Sequence, residues 1–406
     1  MRKPSRLVIF LSVFIDLIGF GIVLPLLPVF AEDSGAHGYM IGCIIGSFSL
    51  MQFLFAPAWG RLSDRIGRRP VMLISNLGAA GSYVLFAIAC GMQGEMALWG
   101  ILISRIFAGI AGANLSVASA YIADISPPEK RSAAMGLIGM AFGLGFILGP
   151  ALGSFSVSLF GRPGAGWVAA AFCASNFILG WFILGESKKP NSEHVPPRPK
   201  FTQWVHTLSQ PKLGVLITVF FLATFCFTCF ESTFTLLLRH VFGYDEKDHR
   251  VGYLFAYAGL ITAMLQGGLI GRLVKRFGEQ RLIAASLFIY AGGFILLPLQ
   301  THMAGLLLAL AILAIGSGVN RPTVFGLISL NSPANEQGAN LGVAQSFGSL
   351  ARILAPVFAT TIFYVKPALP YFICCGIALA TSLVAWAYLC RGQQPVTAVP
   401  ANPPPA

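Results

Sequence analysis

Five charged side chains interrupt stretches of sequence that are otherwise apolar: Asp16, Arg105, Glu231, Arg321 and Arg352. A charge at the centre of an apolar helix costs roughly 2.5 to 3.5 kcal/mol on insertion scales, so each needs a partner or a task. For a carboxyl the task with obvious chemistry is carriage of a proton. Burial favours its neutral form and a nearby arginine favours its ionised form, so one group can load on one side of a barrier and unload on the other. Asp16 and Glu231 are the two acids so placed, and Arg105 is the base that could modulate them. Polar groups on the same stretches, Gln52, Asn114, Gln266, Asn320 and Gln345, could line a cavity between helices, with Phe227 and Phe230 giving it an aromatic wall.

Other chemistries find no support. No G-x-x-x-x-G-K-[ST] occurs to cradle nucleotide phosphates, so work against a gradient must draw on another gradient. Cys226 and Cys229 form a C-x-x-C, but in an apolar run with no histidine near it; they read as filler and not as metal ligands. No cofactor motif or catalytic constellation appears, and no enzyme is expected.

The elements that carry these residues follow from composition. The chain has 406 residues, 56% hydrophobic and 10% charged, where globular proteins average about 25% charged. Too little polar surface exists to cover a water-soluble domain. Apolar runs near 7–30, 40–59, 70–91, 97–123, 133–159, 166–185, 213–238, 251–270, 282–299, 303–330, 339–363 and 368–390 make twelve predicted membrane spans. The first follows Met1-Arg-Lys, yet Asp16 breaks its core and no small-x-small cleavage site follows, so it is expected to be a retained span.

An even number of spans returns both ends to one face. Of the 27 Lys and Arg residues, nineteen fall on loops of that face and five on the opposite loops. This asymmetry predicts cytoplasmic termini in a cytoplasmic (inner) membrane. It also absorbs the net charge of +12 as topology, with no need for a nucleic-acid partner.

The chain repeats itself. Residues 126–150 align without a gap on 332–356, pairing Ser126-Pro127 with Ser332-Pro333, Gly136 with Gly342 and Pro150 with Pro356. Upstream, Asn114 pairs with Asn320. Residues 60–67, GRLSDRIG, match 271–278, GRLVKRFG. The expected architecture is all-α, with twelve spans in two six-helix parallel repeats and a site near the midplane between them. The halves are expected at 1–185 and 213–391. A Pro-containing cytoplasmic linker would occupy 186–212 and a disordered tail 392–406.

Two segments are candidates for control of access. The loop Gly60-Arg-Leu-Ser-Asp64-Arg65-Ile-Gly67-Arg68-Arg69 sets one acid among four arginines. Gly145, Gly149 and Gly153, four apart, form a smooth helix ridge beside Pro150. The loop resembles the G-x-L-a-D-r-x-G-r-[rk] signature of the major facilitator superfamily, and the ridge is similar to that superfamily's antiporter motif, with Ser154 where a glycine is usual. Arg105-Ile-Phe-Ala-Gly109 resembles its R-x-x-q-G element, with Ala108 at a usually polar place.

The resemblance covers nearly the whole chain and is nearest to tetracycline-type exporters, through Met51-Gln52, Ala56-Pro57 and Gly143-Leu-Gly145. It implies a twelve-span drug:proton antiporter of alternating access, acting as a monomer in the bilayer. There Asp16, Arg105 and Glu231 would couple protons, while Gly60, Asp64, Arg65, Gly67, Arg68 and the Gly/Pro ridge would gate. Asp64 would latch the cytoplasmic side by engaging the start of span eleven. Ser82, Thr262 and Tyr290 stand where those exporters carry functional polar groups, so tetracycline is only one candidate cargo. A metabolite cargo such as a sugar or siderophore, or a receptor or scaffold role, remains compatible with the same residues.

Overall fold

A computed structural model describes residues 4–112, 114–126, 131–187, 201–244, 248–333 and 336–390. The tail from 392, residues 188–200 of the linker and the Asn114 side chain lie outside these. Without water in the hydrocarbon layer, each backbone N–H and C=O must be satisfied within the chain, and a run of about 20 apolar residues does this as a helix. Twelve helices of suitable length and hydropathy result: α1 Arg6–Asp33, α2 Tyr39–Ile66, α3 Arg68–Cys90, α4 Gly94–Asp124, α5 Arg131–Phe160, α6 Arg162–Ile183, α7 Pro211–Phe242, α8 His249–Phe277, α9 Glu279–Leu299, α10 Met303–Leu330, α11 Gln337–Val365 and α12 Leu369–Cys390. A short helix, Phe201–Ser209, precedes α7 and ties to α11 through Thr207 Oγ1 donating to Asn340 Oδ1 at 2.7 Å.

The helices pair the same way in each half. In the first, α1 packs on α5 and α6, α3 on α4 and α6, and α2 on α4; in the second, α7 packs on α11 and α12, α9 on α10 and α12, and α8 on α10. The sequence repeat is thus a repeat of packing. It extends to backbone conformation: Gly67 (φ 101°) ends α2 and precedes α3, and its counterpart Gly278 (φ 76°) ends α8 and precedes α9. Both positions need the left-handed region that glycine enters at no steric cost.

A broken helix inside a membrane leaves carbonyls to satisfy, and the structure supplies them from neighbours. Helix α4 is interrupted after Ala111. Trp59 Nε1 donates to Ile110 O at 2.6 Å, Ser75 Oγ to Ala111 O at 2.5 Å and Gln52 Nε2 to Gly112 O at 2.8 Å. The second half repeats the last of these, with Gln266 Nε2 donating to Gly318 O at 3.3 Å. Around Gln266, α8 widens into a π-turn over Leu265–Leu269.

The two six-helix sets meet along α2 with α11 and α5 with α8. Glycines allow the approach. A Cβ on Gly46 would reach Ile353 O at 3.0 Å and one on Gly252 would meet Ser154 Oγ at 2.8 Å; Gly42 abuts Val357, and Gly259 abuts Ile147. All four contacts lie in the half of the bundle away from residues 6 and 390, here called the far side. Nearer the termini side, Gly267, Gly268 and Gly271 of α8 are exposed, and 11% of the apolar window of α8 is buried, against 33–56% for the other helices. The described cross-set glycine contacts are concentrated at the far side.

Candidate functional site

The centre of the first set is built around Arg105. Its side chain, 1% exposed on α4, lies with the guanidinium carbon 4.6 Å from the ring centre of Phe48 and 5.9 Å from that of Phe20, and within hydrogen-bonding reach of the Tyr83 hydroxyl. Stacking a desolvated guanidinium on aromatic faces supplies up to about 2 kcal/mol towards its burial. Tyr83 stands in the field of both Arg105 and Asp16, linking α3 to α1. Asp16 Oδ1 accepts from Asn176 Nδ2 of α6 at 2.7 Å, and the same amide donates to Ser12 O at 2.9 Å. Asp16 and Arg105 therefore share one cluster.

The second set holds the other acid. Glu231 is 9% exposed on α7, and its Oε1 has no hydrogen-bond partner among the described residues. Its electrostatic neighbours are Arg352 of α11 and Arg321 of α10. Arg352 Nη2 donates to Ser349 Oγ at 3.1 Å. Tyr290 of α9 is buried nearby, its hydroxyl also unpartnered among the described residues. Glu231 thus belongs with Arg321 and Arg352, not with Arg105. Both arginines stand out in the sequence as charges within spans; their convergence on Glu231 depends on the relative depth of three helices, which the sequence does not display.

An aromatic chain joins the two centres. Ring centres lie 4.9 Å apart for Phe48 and Phe20, 6.3 Å for Phe20 and Phe146, 6.5 Å for Phe146 and Phe227, and 6.2 Å for Phe227 and Phe230. The Phe146 to Phe227 step crosses between the sets. Phe227 and Phe230 therefore sit in this aromatic layer, beside Glu231. Of the polar candidates, Gln52 and Gln266 make the carbonyl contacts already described. Asn320, 3% exposed, donates through Nδ2 to Ser286 Oγ at 3.1 Å between α10 and α9, and Gln345 is exposed on α11. Ser82 and Thr262 hydroxyls donate to Ala79 O and Ala258 O of their own helices.

The junction of α2 and α3 is organised by three carboxylates. Arg68 Nη1 donates to Asp64 Oδ1 at 2.5 Å, one helical turn away, and Arg68 Nε donates to Asp124 Oδ2 at 3.1 Å. Glu186, at the start of the expected linker, accepts from the backbone amides of Arg68 at 2.9 Å and Arg69 at 3.1 Å. That places a carboxylate on the N-terminus of α3, where free N–H groups and the helix dipole favour it. Gly60 is buried and Arg65 exposed. The ridge of α5 packs on α1: a Cβ on Gly145 would strike Leu17, one on Gly149 would strike Gly21 and one on Gly153 would strike Ile22 O. Pro150 is buried within that helix. The corresponding Ala351, Ala355 and Ala359 of α11 are fully buried.

The family model for the Major Facilitator Superfamily matches residues 9–356 and 268–404. The chain belongs to the major facilitator superfamily. The class C tetracycline resistance protein of Escherichia coli is 33% identical over 379 residues, spanning 89% of this chain and 91% of its own. Major facilitator superfamily domain-containing protein 10 of Bos taurus is 31% identical over 433 residues, 92% of this chain and 90% of its own. The crystal structure of the human organic anion transporter MFSD10 (TETRAN) matches with a TM-score of 0.71 at 27% identity, covering 94% of this chain and 100% of that one. The twelve-helix fold in two repeats is that of the superfamily, and the relatives place the chain among its drug-exporter-like members.

Proposed function

We propose that this chain exports small amphipathic organic compounds across the cytoplasmic membrane in exchange for protons, by alternating access. The observation that carries this reading is one acid at the centre of each set: Asp16 in contact with Asn176, and Glu231 buried with an unpartnered oxygen beside two arginines. An inward proton carrying one net charge across 100 mV supplies about 2.3 kcal/mol, about a fifty-fold cargo gradient. In this proposal the termini are cytoplasmic and the chain works as a monomer. The sets 1–185 and 213–391 rock against each other, with 186–212 as linker and 392–406 as tail. Asp64, Arg68 and the Gly/Pro ridge govern which side is open, and Gln345 and the Phe227–Phe230 surface face the cargo. The test is transport into inverted vesicles energised by a pH gradient. Asp16→Asn or Glu231→Gln should abolish accumulation without loss of folded protein; retention of proton-driven transport by both refutes the coupling assignment.

Arg321 and Arg352 favour a second reading, an anionic cargo, in keeping with the name of human MFSD10 as an organic anion transporter. The two readings differ in sign. A cation competes with the proton for Glu231, so its binding weakens as pH falls. An anion binds the arginines better once Glu231 is neutral, so its binding tightens. Titrating cargo affinity against pH separates them.

A further inference from the structure

The far side of the molecule carries an ion cluster that spans both sets. Glu32 and Asp33 end α1. Glu32 Oε1 accepts from the Tyr364 hydroxyl of α11 and pairs with His240 Nε2 of α7 at 2.7 Å, while its Oε2 faces Arg239 Nη1 at 3.4 Å. Asp33 Oδ1 meets Arg239 Nη2 at 2.6 Å, and its Oδ2 meets Arg162 Nη2 of α6 at 2.5 Å. The carboxylates are 11% and 13% exposed. Rings close over them: His240 packs edge-on against Phe363 and Tyr364, and His37 against Tyr364.

The two acids are not equivalent. Every contact described for Glu32, to Tyr364, His240 and Arg239, crosses to the second set. Asp33 divides its contacts, one oxygen on Arg239 across the gap and the other on Arg162 within its own set. Parting the sets at this end would strip Glu32 of all these partners and leave Asp33 with one. The cluster also sits above the far-side glycine-mediated contacts of α2 with α11 and α5 with α8. By contrast the charged contacts described around Arg68 on the termini side, to Asp64 and to Asp124, lie within one set.

We propose that Glu32 is the tongue of a far-side gate, held shut by Arg239, His240 and Tyr364, and that Asp33 is its anchor, fixed to the first set by Arg162. Breaking the tongue shifts the resting population towards a state open on the far side and closed on the termini side. The proposal rests on the alternating-access reading above, but its test needs neither cargo nor protons, so it can fail alone.

The test is hydrogen–deuterium exchange on the full chain in detergent micelles or nanodiscs, comparing far-side segments 34–46 and 353–364 with termini-side segments 60–69 and 265–278. Glu32→Gln and Arg239→Ala should speed far-side exchange about tenfold, the equivalent of about 1.4 kcal/mol, and slow termini-side exchange in return. Tyr364→Phe, which removes one hydroxyl and keeps the ring, should shift both segments the same way by less. Arg162→Ala should give no reciprocal shift, because the contacts described for it, to Asp33 and to the Phe30 ring, lie within the first set. Two results overturn the proposal. One is faster far-side exchange with no slowing at the termini side, which makes the cluster a structural staple. The other is an equal reciprocal shift from Arg162→Ala, which removes the distinction between tongue and anchor.

Discussion

Gly149→Ala should destabilise the bundle while Gly143→Ala, earlier on the same helix, should not. A Cβ at position 149 would lie 2.6 Å from the Cα and carbonyl carbon of Gly21 and 3.0 Å from the amide nitrogen of Ile22. These are backbone atoms of a packed neighbouring helix and cannot swing aside as a flexible side chain would. At position 143 a Cβ would meet nothing within 4 Å. Both glycines lie in the interior of α5, so each substitution gains about 0.8 to 1 kcal/mol of helix propensity. That gain cancels in the comparison, leaving the steric cost of overpacking, about 1 to 3 kcal/mol. The assay is unfolding in mixed micelles against SDS mole fraction, followed by circular dichroism. Gly143→Ala should unfold at or above the wild-type midpoint and Gly149→Ala below it. Gly21→Ala attacks the same interface from α1, where its Cβ would come 2.8 Å from Gly145 O; combined with Gly149→Ala it should cost less than the sum, since one separation of the helices relieves both clashes. Equal midpoints for the two α5 variants would refute the claim that the ridge is a close-packing surface.

Three further outcomes can be measured with the same preparation. Glu186→Ala removes the acceptor for the amides of Arg68 and Arg69 and should cost about 0.5 to 2 kcal/mol; Gly67→Ala, whose Cβ would sit 2.5 Å from Glu186 Oε2 at φ 101°, should couple with it, and strict additivity in the double variant would deny the contact. Arg105→Lys keeps the charge but loses the planar group stacked on Phe48, so it should lose up to about 2 kcal/mol of stability. A midpoint equal to wild type would show the stacking contributes nothing. At the start of α8, Arg250 holds the Asp248 carboxyl below the usual carboxylate range through hydrogen bonds from its guanidinium and amide. A lowered folded value stabilises the turn above the ordinary carboxylate pKa of about 3.9 and is lost as pH falls through the folded value. Exchange at residues 249–252 should therefore rise at strongly acid pH in the wild type and be flatter with pH in Asp248→Asn.

The twelve helices and their twofold repetition were legible because lipid leaves the backbone one solution and because local spacing carries the repeat. The Asp64 to Arg68 pair was legible for the same reason, being a contact between adjacent turns of chain. Gln52 was readable only as a polar group within a span. Its partner is the carbonyl of Gly112, exposed by a break in another helix, and no property of the residues around Gln52 announces that break. Glu231 was recognised as a buried acid, yet its arginines come from helices α10 and α11, whose depth relative to α7 is fixed by packing alone.

The far-side cluster shows most plainly how a contact between the two sets escapes a hydropathy reading. The predicted first span stopped at 30 and the seventh at 238, just short of Glu32, Asp33, Arg239 and His240, because charged residues lower the local hydropathy. In the structure both helices run on: α1 restarts beyond Pro25 as Leu27–Asp33, and α7 continues until Gly243 adopts a left-handed conformation (φ 68°) and caps it. The charges that ended the predicted spans are held on helix because each finds its counter-charge on the other set. A rule that trims spans at charged residues therefore discards the positions where two halves of a transporter are tied together. Among the described residues on the termini side, Arg68 bonds Asp64 and Asp124 within one half, and only the Asp64 partner, one helical turn away, shows in the sequence. Under the alternating-access proposal, cross-set pairs at the far side and within-set pairs at the termini side are what one rocking bundle requires in one of its two states, since each end must surrender its cross-set contacts for the other to form.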